Sequence, residues 1–239
     1  MLRPRQKIGK YRILGRIASG PLADVYRAQD TIQNIKVALK IPKQDVYTGD
    51  DELLHEVRVA TRLRHPNILS VLNAAYIDDH FFIAMELGEE SLADRIERRT
   101  SIASKLDLAG QALAALAHAH ENKIIHCDIK PENFILFSGN QLKLADFGFA
   151  KRCVRTLKAS GSGTIDYIAP EQAMGRPKFQ SDVFSMGLVL YRLFSGKLPE
   201  WPFEWPLAGY DKLQARVRPE LVDVLKKAIQ LDPSKRYRN

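Results

Sequence analysis

Cysteine is scarce in this chain: Cys127 and Cys153 are the two found among 239 residues. Two cysteines supply neither a disulfide framework nor a zinc site, and they fit a reducing, cytoplasmic setting. Long apolar runs are missing as well. No uncharged apolar stretch reaches the roughly 18–20 residues that a spanning helix requires, so no membrane segment is expected. The opening ten residues, MLRPRQKIGK, are basic and lead into no apolar stretch of the secretory kind. Aromatic residues make up 8% of the chain and do not interleave with its basic clusters, so no nucleic-acid partner is expected. Internal repeats and low-complexity linkers are absent. What remains is ordinary globular material, 45% hydrophobic and 27% charged, enough for one large domain or two small lobes.

Charge is uneven. The balance is 36 basic against 28 acidic residues, a net +8. Residues 1–16 carry Arg3, Arg5, Lys7, Lys10, Arg12 and Arg16 without an acid. Lys151, Arg152, Arg155 and Lys158 form a second acid-free run between Asp146 and Asp166. The first cluster is expected to be a solvated tail over residues 1–10. The second could attract an acidic partner.

The pattern along the chain changes once. Residues 11–17 and 25–29 read as strands around a turn at Ser19, Gly20 and Pro21. A third strand, 35–41, is stopped by Pro42. Residues 50–64 switch to helical spacing, with Leu53, Val57, Ala60 and Leu63 apolar, and His65, Pro66 and Asn67 end the helix. Two more strands are expected at 68–76 and 81–86. After Gly88 the spacing is mostly helical, with long helices over 102–122, 181–195 and 218–231 and short strands and loops over 124–146. A strand-rich front of 11–86 and a helix-rich back of 87–239 suggest two lobes.

Lys40 and Glu56 can be paired from spacing alone. On the third strand Lys40 shares a face with Ala38, opposite Val37, Leu39 and Ile41. Glu56 falls within the apolar stripe of the following helix, where a carboxylate needs a cationic partner. Lys40 is the natural one, the alternative being that Glu56 stays in solvent and Glu52 or nothing pairs.

The chemistry-bearing motifs follow in order. Val37, Ala38, Leu39 and Lys40 lie on a strand, residues 126–133 read HCDIKPEN, and Asp146, Phe147 and Gly148 come next, then Ala169, Pro170 and Glu171. In this order and context the chain resembles the eukaryotic-type protein kinase family along nearly its whole length. The resemblance implies an α+β bilobal protein kinase fold, with an antiparallel sheet and one regulatory helix in the first lobe and mainly helices in the second. It implies ATP and Mg²⁺ as cofactors and a protein substrate with a Ser or Thr acceptor.

Site residues carry over position by position. Asp128 takes the place of the catalytic base, Lys130 faces the γ-phosphate, and Lys40, held by Glu56, grips phosphate. Asn133 and Asp146 take the metal positions, and their oxygen donors suit Mg²⁺. Ile17, Val25 and Ala38 would roof the adenine, Ile135 would floor it, and Met85 takes the gatekeeper place. Glu86, Leu87 and Gly88 would be the hinge. In the activation segment, Ser160 is a phosphorylation candidate, Thr164 resembles the threonine beside the catalytic aspartate, and Glu171 resembles the partner of Arg236.

Two departures stand out. The glycine-rich loop keeps Gly20 and Val25, but alanines replace the outer glycines at 18 and 23, and Pro21 offers no N–H. Cys127 stands where the family has an arginine, and a thiol cannot make bidentate charge-assisted contacts. The altered loop favours an alternative, a pseudokinase that binds nucleotide or partners without transfer. A small-molecule kinase of the aminoglycoside-kinase type is a further alternative, opposed by Thr164 and by Ala169, Pro170 and Glu171.

Overall fold

A computed structural model describes residues 2–43, 50–77, 80–147 and 166–238, with side chains from Leu53 onward in the second stretch. The chain divides into two compact units, residues 1–64 with 69–88 and residues 65–68 with 89–239. No helix among the described residues is long and apolar enough to cross a membrane.

The first unit is an antiparallel sheet of β1 (Lys7–Ile8), β2 (Tyr11–Ser19), β3 (Ala23–Asp30), β4 (Ile35–Pro42), β5 (Val71–Ile77) and β6 (His80–Glu86), in the order β1-β2-β3-β4-β6-β5. Helix α1 (Asp50–Arg62) follows β4. Both faces of the sheet are covered, which explains the unbroken apolar run in β6. Phe82 and Ala84 join Tyr11, Ile13, Tyr26, Val37 and Leu39 on one face. Phe81 and Ile83, offset by one residue, pack on Leu53 of α1. The buried positions of α1 are Leu53, Glu56 and Val59, while Val57 and Ala60 are half-buried. The stripe is therefore rotated from the expected one, because the side that carries Glu56 turns inward to Lys40.

Residues 1–10, expected as a basic tail, are partly built into the sheet. Ile8 is buried in the core beside Tyr11. Lys10 pairs with buried Asp30 at 2.7 Å. Burial raises the Asp30 carboxyl, but hydrogen bonds from Lys10 and from the Gln33 and Ile32 amides outweigh it and hold it below the usual range. Arg3, Arg5 and Lys7 are exposed, and Lys10 is half-buried. What ties the segment down is Ile8 and the need of Asp30 for a counter-charge.

The second unit carries β7 (Glu90–Ser91), α2 (Leu92–Ile96), α3 (Ile102–Glu121), β8 (Phe134–Phe137) and β9 (Gln141–Leu144). It continues with α4 (Pro170–Ala173), α5 (Phe179–Ser195), α6 (Tyr210–Gln214) and α7 (Pro219–Ala228). Strands β7, β8 and β9 form a small antiparallel sheet. Helix α5 is buried on nearly every side and forms the centre of the unit. Gly187 permits this: a Cβ there would lie 2.9 Å from Ile229 Cγ1 and 3.0 Å from Ala228 Cβ. At the C-terminal end of α5, Lys105 Nζ donates to Leu193 O at 2.6 Å and Arg216 donates to Phe194 O at 3.1 Å, so cations meet the helix's last carbonyls.

Candidate active site

In the strand unit the register sets the candidate residues. Val25 lies directly across from Lys40 on β3 and β4, and Ala38 directly across from Met85 on β4 and β6. Opposed residues share a face, so Val25, Ala38, Lys40 and Met85 line one side of three adjacent strands. Helix α1 packs on this side through Phe81, Ile83 and Met85. Lys40 Nζ donates to Glu56 Oε1 at 2.6 Å, with both residues buried. Ile17 is exposed and sits where the β2–β3 pairing shifts register between Arg16 and Ala18. The loop after β2 closes on itself: Gly20 N donates to Ala23 O at 3.0 Å, and Lys43 Nζ donates to Gly20 O at 2.7 Å. Glu86 accepts from the Ser70 amide at 2.9 Å through Oε2, and Leu87 and Gly88 follow half-buried.

In the helical unit the loop from His126 to Asn133 is held by side chains from several elements. His126 is fully buried. Its Nε2 faces Ala145 O at 2.9 Å and its Nδ1 faces the Asp128 amide at 3.2 Å, so the first nitrogen donates and the second accepts. Asp182 on α5 accepts from the His126 amide at 2.7 Å and the Cys127 amide at 2.8 Å, and it contacts His120 Nε2 at 2.9 Å. Cys127, buried between them, has a φ of 65°.

Asp128 is the focus of this loop. Its Oδ2 accepts from Asn133 Nδ2 at 2.8 Å and lies 2.9 Å from Lys130 Nζ. Asn133 Nδ2 also donates to Asp128 O at 2.7 Å. Asp128 Oδ1 and Asn133 Oδ1 have no hydrogen-bond partner among the described residues. The Ala145 amide donates to Asn133 O at 2.8 Å, and this bond sets the place of Asp146, which has a φ of 67°. Two oxygen-bearing side chains, Asn133 and Asp146, thus leave neighbouring backbone positions with donors suited to a hard cation. Ile135 is half-buried on β8, across from Ser91 and Lys143.

Glu171 and Arg236 form a bidentate pair, NH1 to Oε1 at 2.7 Å and NH2 to Oε2 at 3.0 Å. Ser181 Oγ donates to the same carboxylate at 2.6 Å. Burial raises the Glu171 carboxyl, but the bonds from Arg236 and Ser181 outweigh it and leave it below its ordinary value. Ser160, Thr164, Gly148, Cys153 and the basic run 151–158 lie outside the described residues.

Sequence reasoning gave Asp182 no role beyond opening a helix, and it passed over His120 and Gln172. An aspartate at the start of an otherwise apolar helix was the available signal for Asp182, since such a carboxylate must find donors. Gln172 gave no signal, because its partner is a backbone carbonyl, Cys127 O, at 2.7 Å.

A family model described as "Protein kinase domain" matches residues 11–238. The serine/threonine-protein kinase PrkC of Bacillus subtilis is 36% identical over 210 residues, covering 83% of this chain and 32% of PrkC. The calcium/calmodulin-dependent protein kinase type 1B of Homo sapiens is 31% identical over 246 residues, covering 95% of this chain and 71% of that protein. The crystal structure of the PknI kinase domain of Mycobacterium tuberculosis aligns with a TM-score of 0.71 at 26% identity, over 99% of this chain and 94% of that one. The chain spans about a third of the length of the bacterial relatives it matches.

Proposed function

The chain belongs to the protein kinase family, as a serine/threonine protein kinase domain with that family's α+β fold, and from this premise we propose that it transfers the γ-phosphoryl group of ATP to serine or threonine hydroxyls of protein substrates. The working division is a first lobe of 11–86 and a second of 87–239. The observation that carries the reading is the setting of Asp128. One carboxylate oxygen is occupied by Asn133 and Lys130, and the other has no partner among the described residues. A carboxylate fixed on one side and open on the other can accept a proton from an incoming hydroxyl.

The remaining roles follow the same logic. Phosphoryl transfer passes through a loose transition state, so positioning and charge do most of the work. Lys40, oriented by Glu56, holds phosphate oxygens, and Lys130 offsets charge near the transferred group. Asn133 and Asp146 fit Mg²⁺, because Asn133 turns its Nδ2 to Asp128 and leaves Oδ1 available. When bound, Mg²⁺ would supply charge neutralisation at the phosphates. Ile17, Val25, Ala38, Met85 and Ile135 offer apolar contact to the adenine, and the backbone of Glu86, Leu87 and Gly88 offers it hydrogen bonds.

The two departures set the finer character. The Gly20 amide is used within its own hairpin and Pro21 has none, so the loop holds phosphate weakly. Cys127 cannot pair with a phosphate on the activation segment, so activity does not require phosphate at Thr156, Ser160 or Ser162. The basic run 151–158 instead attracts an acidic partner or substrate, with binding that weakens as salt rises.

The deciding experiment is single-turnover transfer by Asp128→Asn with a generic basic protein and Mg²⁺. Loss of the base lowers the rate on the order of 10²–10⁴-fold while the fold is kept. A variant as fast as the wild type would remove Asp128 from the chemistry.

A further inference from the structure

Gln172 is buried, 4% exposed, and its Oε1 is a buried side-chain atom without a hydrogen-bond partner among the described residues. Its other end is well used: Nε2 donates to Cys127 O at 2.7 Å. That bond fixes the amide's orientation, so Oε1 is turned away from Cys127 to a place where no described residue donates to it. The amide is therefore explained by what its Nε2 holds, the Cys127 carbonyl, and not by what Oε1 meets.

The Cys127 carbonyl belongs to the same peptide plane as the Asp128 amide. Gln172 holds the oxygen end of that plane, and His126 Nδ1 holds the N–H end at 3.2 Å. The plane follows a residue in the left-handed region, a φ of 65° that a non-glycine residue adopts only when its surroundings enforce it. Asp182 fixes the two preceding amides. Without Gln172, the plane that leads directly into Asp128 would lose the shorter of these two bonds. Gln172 is itself anchored, since Glu171 beside it is held by Arg236 and Ser181.

We infer that Gln172 is a positioning residue for Asp128, one that locks the Cys127–Asp128 peptide plane. The inference rests on the reading of Asp128 as the general base.

The test uses Gln172→Met and Gln172→Leu, which keep the volume and remove both the donor and the orphan acceptor. Expected are a kcat lower by about tenfold or more, a KM for ATP within about twofold of wild type, and a melting temperature lower by no more than a few degrees, because the Cys127 carbonyl loses a donor while the Oε1 acceptor is removed. Amide hydrogen exchange across residues 126–130 should quicken by about tenfold, with α3 unchanged. A larger fall in melting temperature with uniformly faster exchange would make Gln172 merely structural and overturn the inference. Unchanged kcat, or lost kcat without a local change in exchange, would overturn it too. If the wild type transfers no phosphoryl group, the proposed function fails, and the exchange comparison alone still decides whether Gln172 locks the loop.

Discussion

Glu56 in the strand unit and Glu171 in the helical unit each face a buried cation, Lys40 and Arg236, and the two cations are spent differently. In the helical unit Arg236 gives all five of its N–H donors to protein: two to Glu171 and one each to the carbonyls of Gln230, Gln180 and Leu231. The Phe184 ring covers the guanidinium at 4.7 Å. In the strand unit Lys40 brings Glu56 a compact ammonium on a long aliphatic stem. A planar fork saturated by fixed acceptors is a fastening. An ammonium is a point charge that can re-aim at a ligand. On the proposed function the residue type separates architecture from chemistry, although both pairs look alike as salt bridges of the interior.

Exchanging the cations tests that separation. Arg236→Lys should have the largest effect, a loss of about 3 kcal/mol in urea unfolding, because backbone carbonyls are left buried without donors. A loss below about 1 kcal/mol would mean that the fork is not the fastening. Lys40→Arg comes next. It keeps the charge opposite Glu56 and should leave the melting temperature within a few degrees, while transfer falls on the order of 10²-fold through misplacement of phosphate. Wild-type transfer by this variant would erase the contrast.

Acid sharpens the comparison more gently. The Glu171 carboxyl is held below its ordinary value of 4.5, so the stability it contributes is fully present above that pH and is lost as pH falls through the folded-state value. Glu171→Gln should therefore flatten the acid limb of a plot of melting temperature against pH, and an unchanged limb would assign that loss elsewhere. The smallest effect concerns how phosphate grip is shared. Restoring glycine at 18 and 23 with serine at 21 should lower the KM for ATP by about threefold to tenfold from a value in the upper part of the usual range. In that background the penalty of Lys40→Arg should shrink. A low-micromolar KM in the unmodified protein would show that the loop already holds phosphate well.

Much of this arrangement was legible in residue spacing. The alternation of Val37 to Ile41 placed Lys40 opposite the core side, and the position of Glu56 among apolar residues demanded a cation. Strand and helix limits fell within a few residues of β2–β6 and of α3, α5 and α7. What escaped depends on partners distant in sequence. The place of Ile8 in the core follows from a pairing with Tyr11 and from packing on the sheet, neither of which a two-residue strand announces. Val59 was missed because a few degrees of helix phase decide which of three apolar positions turns inward. Asp182 reaches back 55 residues to the Cys127 amide and 56 to that of His126, and no local pattern encodes such a reach.

The short stretch 65–68 has a practical meaning for anyone dissecting the protein. It belongs to the helical unit, although residues on either side of it belong to the strand unit. Asn67 Nδ2 bonds Gln111 Oε1 and Leu142 O, each at 2.8 Å, while its carbonyl takes the Leu144 amide at 2.8 Å, and Ile68 bridges Leu144 in parallel. The helical unit is therefore not a continuous length of chain. A clone starting at Glu89 would discard a four-residue splint and leave the end of β9 partly unpaired. A split-protein reporter cut after Gly88 would deliver that splint on the opposite fragment, so the two pieces would have to exchange it before either half was complete.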